Sequence, residues 1–450
     1  MNREPLTRRD FVRLGTGAIA AGATMKTTLL QPSPLWAADA PSDRVRYASI
    51  GMGVRGCDVL KAALQVPGSE CVAICDLYDG RLRAGREIVK TDVPTTRHYR
   101  EVLDRKDVDA VIIAVPDHLH RRLVCDACAA GKDAYCEKPM SHTLEDGFQM
   151  VASARENRRI LQIGSQRVSA VAYAKAREIY QSGQLGDVFM IEAHSDRNSP
   201  SGAWVYPIPP DASPTTIDWA GFIQDAPARP FDAIRFFRWR CFKDYGEGLA
   251  GDLYVHLLSG IQFITGVTTP PLKAHASGGL FRFKDGRDFP DLIQTLYEYP
   301  NFQVYLRCNL NNEAGENLTF RGTRGTMVVE YNRVTLTPQD TRPQPEGYSI
   351  NGWPSDLRAQ YLAQWQADHP PTPPLESKVE AETEAFEGPQ GYNDTIDHVA
   401  NFFNSIRNRK PPVENEDFGN SAAIACHMAN YSYFNKSVAV WDGATRKIKS

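Results

Sequence analysis

The sequence predicts an α/β fold: an N-terminal doubly wound parallel sheet, followed by an α+β domain with an open, mostly antiparallel sheet. Three observations lead to this prediction. Short apolar runs alternate with helical patterns between residues 44 and 164, which indicates βαβ units. A glycine-rich turn follows the first of these runs. After residue 187 the pattern changes to strand-like runs separated by turn residues, which is typical of an antiparallel meander.

Length and composition restrict the function classes. The chain has 450 residues, of which 42% are hydrophobic, and this is enough for two or three domains with their own cores. Its 51 basic and 54 acidic side chains lack the basic excess of a nucleic-acid-binding protein. No uninterrupted apolar run reaches the roughly 18–20 residues that span a bilayer. We therefore expect neither a nucleic-acid partner nor a stable membrane span.

The first 40 residues are predicted to be an export signal rather than part of the fold. Arg8 and Arg9 form a twin-arginine pair within a basic block, and the uncharged stretch 14–25 follows it. This order resembles signals read by the twin-arginine (Tat) export machinery. The interpretation predicts a periplasmic location.

The first domain is assigned to residues 41–165. Residues 44–50 and 71–76 are strand-like, and residues 109–115 are wholly apolar, as a strand buried on both faces must be. Helical patterns are predicted up to about Leu64, over 80–90, and over 143–157. A last strand is predicted over 160–164.

The second domain is assigned to residues 166–450. A strand is predicted over 188–194 and a long helix over 250–264. Several strand-like runs lie between residues 272 and 336. The proline-rich residues 338–391 are predicted to be a surface excursion. Two helices, near 394–407 and 417–435, end the chain.

The nine cysteines do not form a recognisable disulfide or metal framework. Cys125 and Cys128 are a single CxxC pair without a second pair elsewhere. We expect buried, reduced cysteines and no metal site.

A dinucleotide-binding turn is predicted after the first strand. Asp76 stands twenty residues beyond the turn, at the end of the second strand, where it can bind a ribose 2′-hydroxyl. Glycines let the backbone approach a pyrophosphate at a helix N-terminus. Asp76 would repel a 2′-phosphate, which favours NAD, but Arg81 and Arg83 nearby leave NADP as the alternative. The turn consists of Gly51, Met52, Gly53, Val54, Arg55 and Gly56.

Three further residues are candidates for acid–base chemistry. Lys138 follows a strand of the first sheet, where ligands of open α/β sheets bind, although it is equally well explained as a surface lysine. Asp252 and His256 lie four positions apart on one face of a predicted helix. They can form an acid–base pair. Alternatively, they are an ordinary surface pair, or His256 is a core histidine whose hydrogen bonds are satisfied.

An aromatic segment, residues 204–245, combines three tryptophans with interleaved arginines. Flat rings and bidentate donors suit a sugar, and the same composition suits an interface between subunits.

Several motifs together resemble the glucose–fructose oxidoreductase/inositol dehydrogenase (Gfo/Idh/MocA) family, in its exported twin-arginine branch. They are GMGVRG (51–56), PDHLH (116–120), EKP (137–139), IGSQR (163–167) and GDLYVH (251–256), in this order. The resemblance implies a Rossmann domain and a site between two domains. It implies that Lys138, Asp252 and His256 are catalytic. It also implies cofactor contacts from Pro116, His120, Glu137, Lys138 and Gln166.

The function expected from these residues is oxidation of a ring hydroxyl of a sugar, polyol or glycoside by hydride transfer to NAD. Net-neutral glycoside cleavage, as a hydrolase or lyase that oxidises its substrate transiently, is the alternative that shares the same motifs. A non-catalytic dinucleotide-binding sensor is a third class, although it would have no use for Lys138, Asp252 and His256 together.

Cofactor retention and assembly are two further expectations. The periplasm holds no free NAD pool, so the cofactor is expected to be bound tightly before export. The region between the leader and the first strand and the aromatic segment are the candidates for the extra contacts. An open sheet is commonly covered by a second copy, so we expect a homodimer or homotetramer.

Overall fold

A six-stranded parallel sheet forms the N-terminal part of the computed structural model, which describes residues 44–339, 344–370 and 383–450. The predicted leader, residues 1–40, lies outside the described residues. The strand order β3-β2-β1-β4-β5-β6 confirms the predicted doubly wound sheet. The strands are β1 (Val45–Ile50), β2 (Ser69–Cys75), β3 (Thr95–Thr96), β4 (Ala110–Ile113), β5 (Asp133–Glu137) and β6 (Leu161–Gly164).

Helices connect these strands in the order expected for βαβ units. The predicted helix over 143–157 is present, and the Thr143 hydroxyl accepts a hydrogen bond from the Asp146 N–H at 3.2 Å as its N-cap. The helices are α1 (Val54–Ala63), α2 (Asp79–Val89), α3 (Tyr99–Leu103), α4 (Asp117–Ala129) and α5 (Leu144–Glu156).

The order of the first sheet reverses between β1 and β4, which are direct neighbours. In open α/β sheets the crevice beyond the carboxyl ends of the strands at such a switch point binds ligands. Gly51 follows β1, Asp76 follows β2 and Lys138 follows β5, so the sheet brings all three to this edge.

A second sheet of ten strands is mostly antiparallel, as predicted. The exception is the parallel pairing of β7 with β10, in which Ile191 lies opposite Val304. The order is β14-β13-β12-β11-β7-β10-β9-β8-β15-β16. The strands are β7 (Val188–Asp196), β8 (Lys273–Gly279), β9 (Leu292–Glu298), β10 (Gln303–Asn309), β11 (Gly315–Gly322), β12 (Gly325–Val329), β13 (Arg333–Pro338), β14 (Glu384–Glu387), β15 (Ala439–Asp442) and β16 (Lys447–Lys449).

Helices of the second half pack on this sheet and also return to the first. Phe402 and Phe403 pack in one apolar cluster with Tyr47 of β1 and Val59 of α1, so the chain returns to the first sheet near its C-terminal end. The helices are α6 (Val171–Gln181), α7 (Trp219–Ile223), α8 (Ala233–Phe237), α9 (Val255–Thr265), α10 (Ser355–Asp368), α11 (Asp394–Asn408) and α12 (Glu416–Asn435).

The predicted surface excursion, residues 338–391, contains regular structure in its described parts. Helix α10 buries none of its residues, which agrees with a surface position. Strand β14 pairs antiparallel with β13 and so extends the sheet at one edge. The abundance of proline obscured both elements in the sequence pattern.

The nine cysteines all lie among the described residues and are unpaired thiols, with seven of them buried. None of the described helices combines the length and the apolar character needed to cross a bilayer. Within the same residues, no group of three or more His, Cys, Asp or Glu side chains is arranged to hold a metal ion.

Candidate active site

The glycine-rich turn is shaped by two close backbone approaches. Gly51 has φ +91°, and a Cβ there would lie 2.4 Å from the Ala114 carbonyl oxygen. A Cβ on Gly56 would lie 1.9 Å from the Gly51 carbonyl oxygen. A Cβ on Gly53, by contrast, would meet nothing nearer than the Arg81 guanidinium at 3.8 Å. The turn therefore leaves open space above Gly53, where helix α1 begins and where a phosphate can approach its N–H groups.

Asp76 is fixed beside this turn. Its Oδ2 accepts a hydrogen bond from the Met52 N–H at 2.6 Å, and its Oδ1 accepts one from the Tyr78 N–H at 2.9 Å. Arg81 lies at 4.0 Å from the same carboxylate. The geometry thus presents an oriented carboxylate at the edge of the turn, as the sequence predicted.

A cleft of about 230 Å³ runs from the turn to Lys138. Gly51, Gly53, Val54, Arg55, Gly56, Asp76, Pro116, Glu137 and Lys138, which were all predicted as site residues, line it. The opposite wall belongs to the aromatic segment and consists of Tyr206, Phe222, Phe236, Phe237, Trp239 and Arg240.

The aromatic segment is tied across the cleft to the first sheet. The Asp218 N–H donates to the Leu77 carbonyl at 2.8 Å, and the Asp79 N–H donates to the Thr216 carbonyl at 3.1 Å. The Arg81 guanidinium carbon stands 5.2 Å from the ring centre of Phe237. The segment therefore covers the cleft on the side of Asp76, which neither the sugar-binding nor the subunit-interface interpretation anticipated.

Lys138 and Asp252 meet at the other end of the cleft. The Lys138 Nζ lies 2.9 Å from Asp252 Oδ1 and 2.8 Å from the Asp252 carbonyl oxygen. Arg240 Nε donates to the same Oδ1 at 2.8 Å, and Trp204 Nε1 donates to Oδ2 at 3.2 Å. Although burial opposes ionisation, the charges of Lys138 and Arg240 hold the pKa of Asp252 well below its usual range. Asp252 is therefore a carboxylate.

The backbone around Asp252 is a π-helical turn, Ala250–Tyr254, that leads into α9. The sequence pattern predicted an ordinary helix here. A Cβ on Gly251 would lie 2.2 Å from the Glu247 Cβ and 3.2 Å from Pro139, so the turn packs closely against the segment that carries Lys138. Such turns are frequent at functional sites because they change the direction of a side chain.

His256 follows in the first turn of α9 and is a neutral imidazole. Burial lowers its pKa well below 6.5, and the positive charges of Lys138 and Arg167 lower the pKa further. Its buried Nδ1 has no hydrogen-bond partner in the part of the chain that the structure describes. A neutral ring with a free nitrogen can accept a proton.

Three predicted cofactor contacts do not line the cleft. Met52 is buried, and its N–H donates to Asp76, while His120 and Gln166 lie behind the cleft. The ring nitrogens of His120 are 2.9 Å from the Pro139 and Val115 carbonyl oxygens, so this histidine supports the wall from below. Gln166 Oε1 accepts a hydrogen bond from Arg55 at 3.2 Å. Arg55 also donates to Glu137 at 2.7 Å. Through Arg55, Gln166 positions a residue that does line the cleft.

A buried polar group beneath the site gave no signal in the sequence. Asp117 Oδ2 accepts a hydrogen bond from the Glu247 N–H at 3.1 Å, and Glu247 pairs with His427 at 2.8 Å. Burial raises the pKa of Asp117 well above its usual range. Asp117 belongs to the PDHLH motif, but Glu247 and His427 stand far from it in the chain, so only the fold brings the three together.

Comparison with known proteins agrees with this geometry. Residues 45–165 match the model of the Gfo/Idh/MocA family, described as an oxidoreductase family with an NAD-binding Rossmann fold. The inositol 2-dehydrogenase of Salmonella typhimurium (strain LT2) is 31% identical over 144 residues, which is 32% of this chain and 43% of that protein. Glycosyl hydrolase family 109 protein 1 of Shewanella sp. (strain ANA-3) is 30% identical over 173 residues, 34% of this chain and 38% of that protein. The chain spans about half the length, or less, of the curated relatives it matches.

Solved structures extend the likeness of the fold to both sheets. A levoglucosan dehydrogenase in complex with NADH and levoglucosan superposes with a TM-score of 0.64 at 16% identity, over 88% of this chain and 98% of that one. The aldose-aldose oxidoreductase from Caulobacter crescentus also gives 0.64 at 16% identity, over 88% and 99%. The glycine turn, the placed Asp76 and the six-stranded sheet agree with the family match: residues 45–165 have a Rossmann fold and match the NAD-binding model of the Gfo/Idh/MocA oxidoreductase family.

Proposed function

We propose that this protein is a periplasmic enzyme that oxidises a ring hydroxyl of a sugar, polyol or glycoside with tightly bound NAD. The observation that carries the proposal is the contact between Lys138 and Asp252, which joins the first sheet to the π-helical turn at the end of the cleft. The inositol 2-dehydrogenases among the relatives support the substrate class.

The residues of the cleft fit NAD. The space above Gly53 admits a pyrophosphate, and Asp76 stands where a ribose hydroxyl can bind. NAD, when bound, accepts the hydride that leaves a carbinol carbon. Pro116, Glu137 and Lys138 also line the cleft.

Each catalytic residue has a distinct role in this proposal. The Lys138 ammonium has three N–H groups, and its two contacts with Asp252 leave one to bind the substrate hydroxyl. Neutral His256 accepts the proton of that hydroxyl as the carbonyl forms. Asp252 orients Lys138 and Arg240, and its charge balances part of theirs.

The test is oxidation of a panel of sugars, polyols and glycosides, followed by the absorbance of reduced nicotinamide. His256→Ala is expected to lower the rate by roughly 10²–10⁴-fold, as for other positioned acid–base groups. His275→Ala, on the exposed side of β8, is the matched control and should keep wild-type turnover. Wild-type turnover in a folded, cofactor-loaded His256→Ala variant would refute the assignment.

Glycoside cleavage without net oxidation is the second candidate, and the similarity to the family 109 glycosyl hydrolase favours it. Oxidation at C3 would acidify the C2 proton, elimination would expel the aglycone, and reduction would restore the sugar. Product analysis separates the two candidates. A released aglycone at constant reduced cofactor supports cleavage, and an oxidised sugar supports the dehydrogenase.

Export by the twin-arginine route is part of the proposal. The Arg8-Arg9 pair and the uncharged stretch after it support it. The double variant Arg8→Lys, Arg9→Lys is expected to remain in the cytoplasm, whereas the unchanged chain should be recovered from the periplasm with its cofactor. Equal recovery of both from the periplasm would contradict this route.

We also propose a homodimer or homotetramer. Phe189 on β7 and Leu296 on β9 are exposed by 53% and 44% on the second sheet, which supports coverage by another copy. Light scattering at micromolar concentration tests this proposal, and a monomer mass would contradict it.

A further inference from the structure

Arg240 holds an anchored guanidinium at the catalytic end of the cleft. Its Nε donates to Asp252 at 2.8 Å, and the guanidinium carbon stands 4.2 Å from the ring centre of Trp239. Both contacts fix the plane of the group. Its two terminal nitrogens have no hydrogen-bond or ion-pair partner among the residues that the structure describes, and the residue lines the cleft. Arg240 therefore presents two free N–H₂ groups in a fixed orientation.

Arg197 adds a second arginine without a counterion. It follows the last residue of β7 and is half-buried, because its Cβ and Cδ pack against the Gly202 backbone. Its side chain forms no hydrogen bond or ion pair with any described residue. The neighbouring Asp196 is already paired with Arg307. Gly202, beside which Arg197 packs, stands two residues before Trp204, whose Nε1 donates to Asp252 Oδ2 at 3.2 Å, so Arg197 lies close to the catalytic residues. Against the effect of burial, its charge acts with those of Lys138 and Arg240 to lower the pKa of Asp252.

The charges at this end do not balance. Lys138, Arg197 and Arg240 are three cations, and among the described residues Asp252 is the one carboxylate that forms an ion pair with Lys138 or Arg240. Its Oδ1 already accepts hydrogen bonds from Lys138 and Arg240, and its Oδ2 accepts one from the Trp204 N–H.

Other nearby charged groups do not restore the balance. Arg167 is paired with Glu316 and Asp394. Burial raises the pKa of Asp117, which favours its uncharged form, and burial lowers the pKa of His256, which favours its neutral ring. Partly buried guanidinium groups usually have an anionic partner, so a ligand can supply the missing negative charge.

We propose that the substrate is an acidic carbohydrate whose carboxylate is bound by Arg240 and Arg197 while its reacting hydroxyl lies at Lys138. This inference rests on the proposed function and names the substrate class of that same site. A carboxylate matches the two parallel N–H groups of one guanidinium in a planar, bidentate pair. Uronic and aldonic acids have this chemistry, whereas a neutral sugar would leave the Arg197 guanidinium and the two terminal nitrogens of Arg240 without an anionic partner.

The experiment compares matched pairs of carbohydrates with the holoenzyme. Each uronic acid is paired with the neutral sugar of the same ring stereochemistry and with the corresponding sugar phosphate. Wild-type kcat/KM is expected to be at least tenfold higher for a uronic acid than for its neutral partner. Arg197→Gln should raise KM for the acid about tenfold, with a smaller change in kcat, and should lower kcat/KM for the neutral sugar by a smaller factor than for the acid. Arg197→Lys should retain part of the preference.

Two further measurements separate this inference from the proposed function. Arg333→Gln, which removes the same charge from an exposed ion pair on β13, is the control and should change neither substrate. Thermal stabilisation by the uronic acid, absent with the neutral sugar and lost in Arg197→Gln, supports the anion site even where no turnover occurs. Equal kcat/KM for acid and neutral sugar, equal losses for both in Arg197→Gln, or a preference for the sugar phosphate would overturn the proposal.

Discussion

Lys138 and Asp252 are separated by 114 positions in the chain, yet the Lys138 Nζ lies 2.9 Å from Asp252 Oδ1. The two residues come from different parts of the fold: Lys138 follows strand β5 of the first sheet, and Asp252 lies in the π-helical turn before α9. Both side chains are mostly buried, with exposures of 9% and 12%. A buried ion pair of this kind tolerates the loss of one partner poorly, because the other charge then remains buried alone.

Asp252→Asn is therefore expected to reduce kcat by roughly 10²–10⁴-fold while the fold is retained. The amide keeps the shape of the side chain but removes the countercharge of Lys138 and Arg240. Steady-state kinetics together with circular dichroism provide the measurement. Asp187→Asn, at an exposed position before β7, is the control and should leave kcat unchanged. A kcat within twofold of wild type in Asp252→Asn would contradict the role of this pair.

The pH profile follows from the lowered pKa of His256. Because the pKa lies well below 6.5, the imidazole stays neutral when the pH falls through 6.5, and the base form persists. We expect the acidic limb of kcat/KM below pH 6.5. Among the main neighbours of His256, Asp252 is the one group whose charge raises the pKa of the imidazole. Asp252→Asn should therefore move the acidic limb of kcat/KM to still lower pH. An acidic limb at or above 6.5 would show that His256 is not the base.

Gly51 and Gly53 should respond differently to alanine. Gly51→Ala places a Cβ 2.4 Å from the Ala114 carbonyl oxygen at a positive φ, so folding of the first sheet should be impaired. Gly53→Ala meets no protein atom closer than 3.8 Å, so the chain should fold normally but bind NAD more weakly, because the methyl group occupies the open space. Thermal denaturation and cofactor content after purification distinguish the two effects. Normal NAD content in Gly53→Ala would place the pyrophosphate elsewhere.

Asp76 should determine the choice between NAD and NADP. Its carboxylate is held by the Met52 and Tyr78 N–H groups, with Arg81 at 4.0 Å. Asp76→Ser removes the charge that repels a 2′-phosphate and frees Arg81 to bind it. The ratio of Kd for NADP to Kd for NAD is expected to fall at least tenfold, measured on protein refolded or expressed without cofactor. Asp104→Ser, at an exposed position after α3 and outside the cleft lining, is a control that should leave the ratio unchanged. The same ratio in Asp76→Ser and wild type would contradict this role.

Much of the fold could be predicted because local sequence encodes it. The doubly wound sheet follows from short apolar strands alternating with helices, and the position of the glycine turn follows from its spacing to Asp76. These features depend on residues that are neighbours in sequence or recur with a fixed period. The meander between β8 and β13 follows for the same reason.

The parts that could not be predicted depend on contacts between distant residues. The aromatic segment covers the cleft because Asp218 and Thr216 bond to residues that follow β2, and no local pattern specifies such a partner. The π-helical turn at Asp252 depends on close packing of Gly251 against Glu247 and Pro139. His120 and Gln166 match the family motifs, yet they contact residues of the cleft wall from behind. Only the three-dimensional structure distinguishes such supporting residues from lining residues.

Cofactor retention should depend on the cover that the aromatic segment provides. Phe237 lines the cleft, and its ring centre lies 5.4 Å from that of Tyr78 and 5.2 Å from the Arg81 guanidinium carbon. Wild-type protein, purified and dialysed without nucleotide, is expected to release close to one NAD(H) per chain on denaturation. Phe237→Ala removes part of the wall and its contacts with the first sheet. We expect at least a tenfold faster release of NAD from this variant.

Loss of a buried phenylalanine typically costs about 3–5 kcal/mol of stability, so a control must separate destabilisation from opening of the cleft. Phe320 is fully buried in the core of the second sheet and does not line the cleft. Phe320→Ala should therefore lower the melting temperature as Phe237→Ala does, while it retains bound NAD. Because a merely destabilised protein would lose cofactor in both variants alike, equal release from the two would show that stability, and not the cover over the cleft, controls retention.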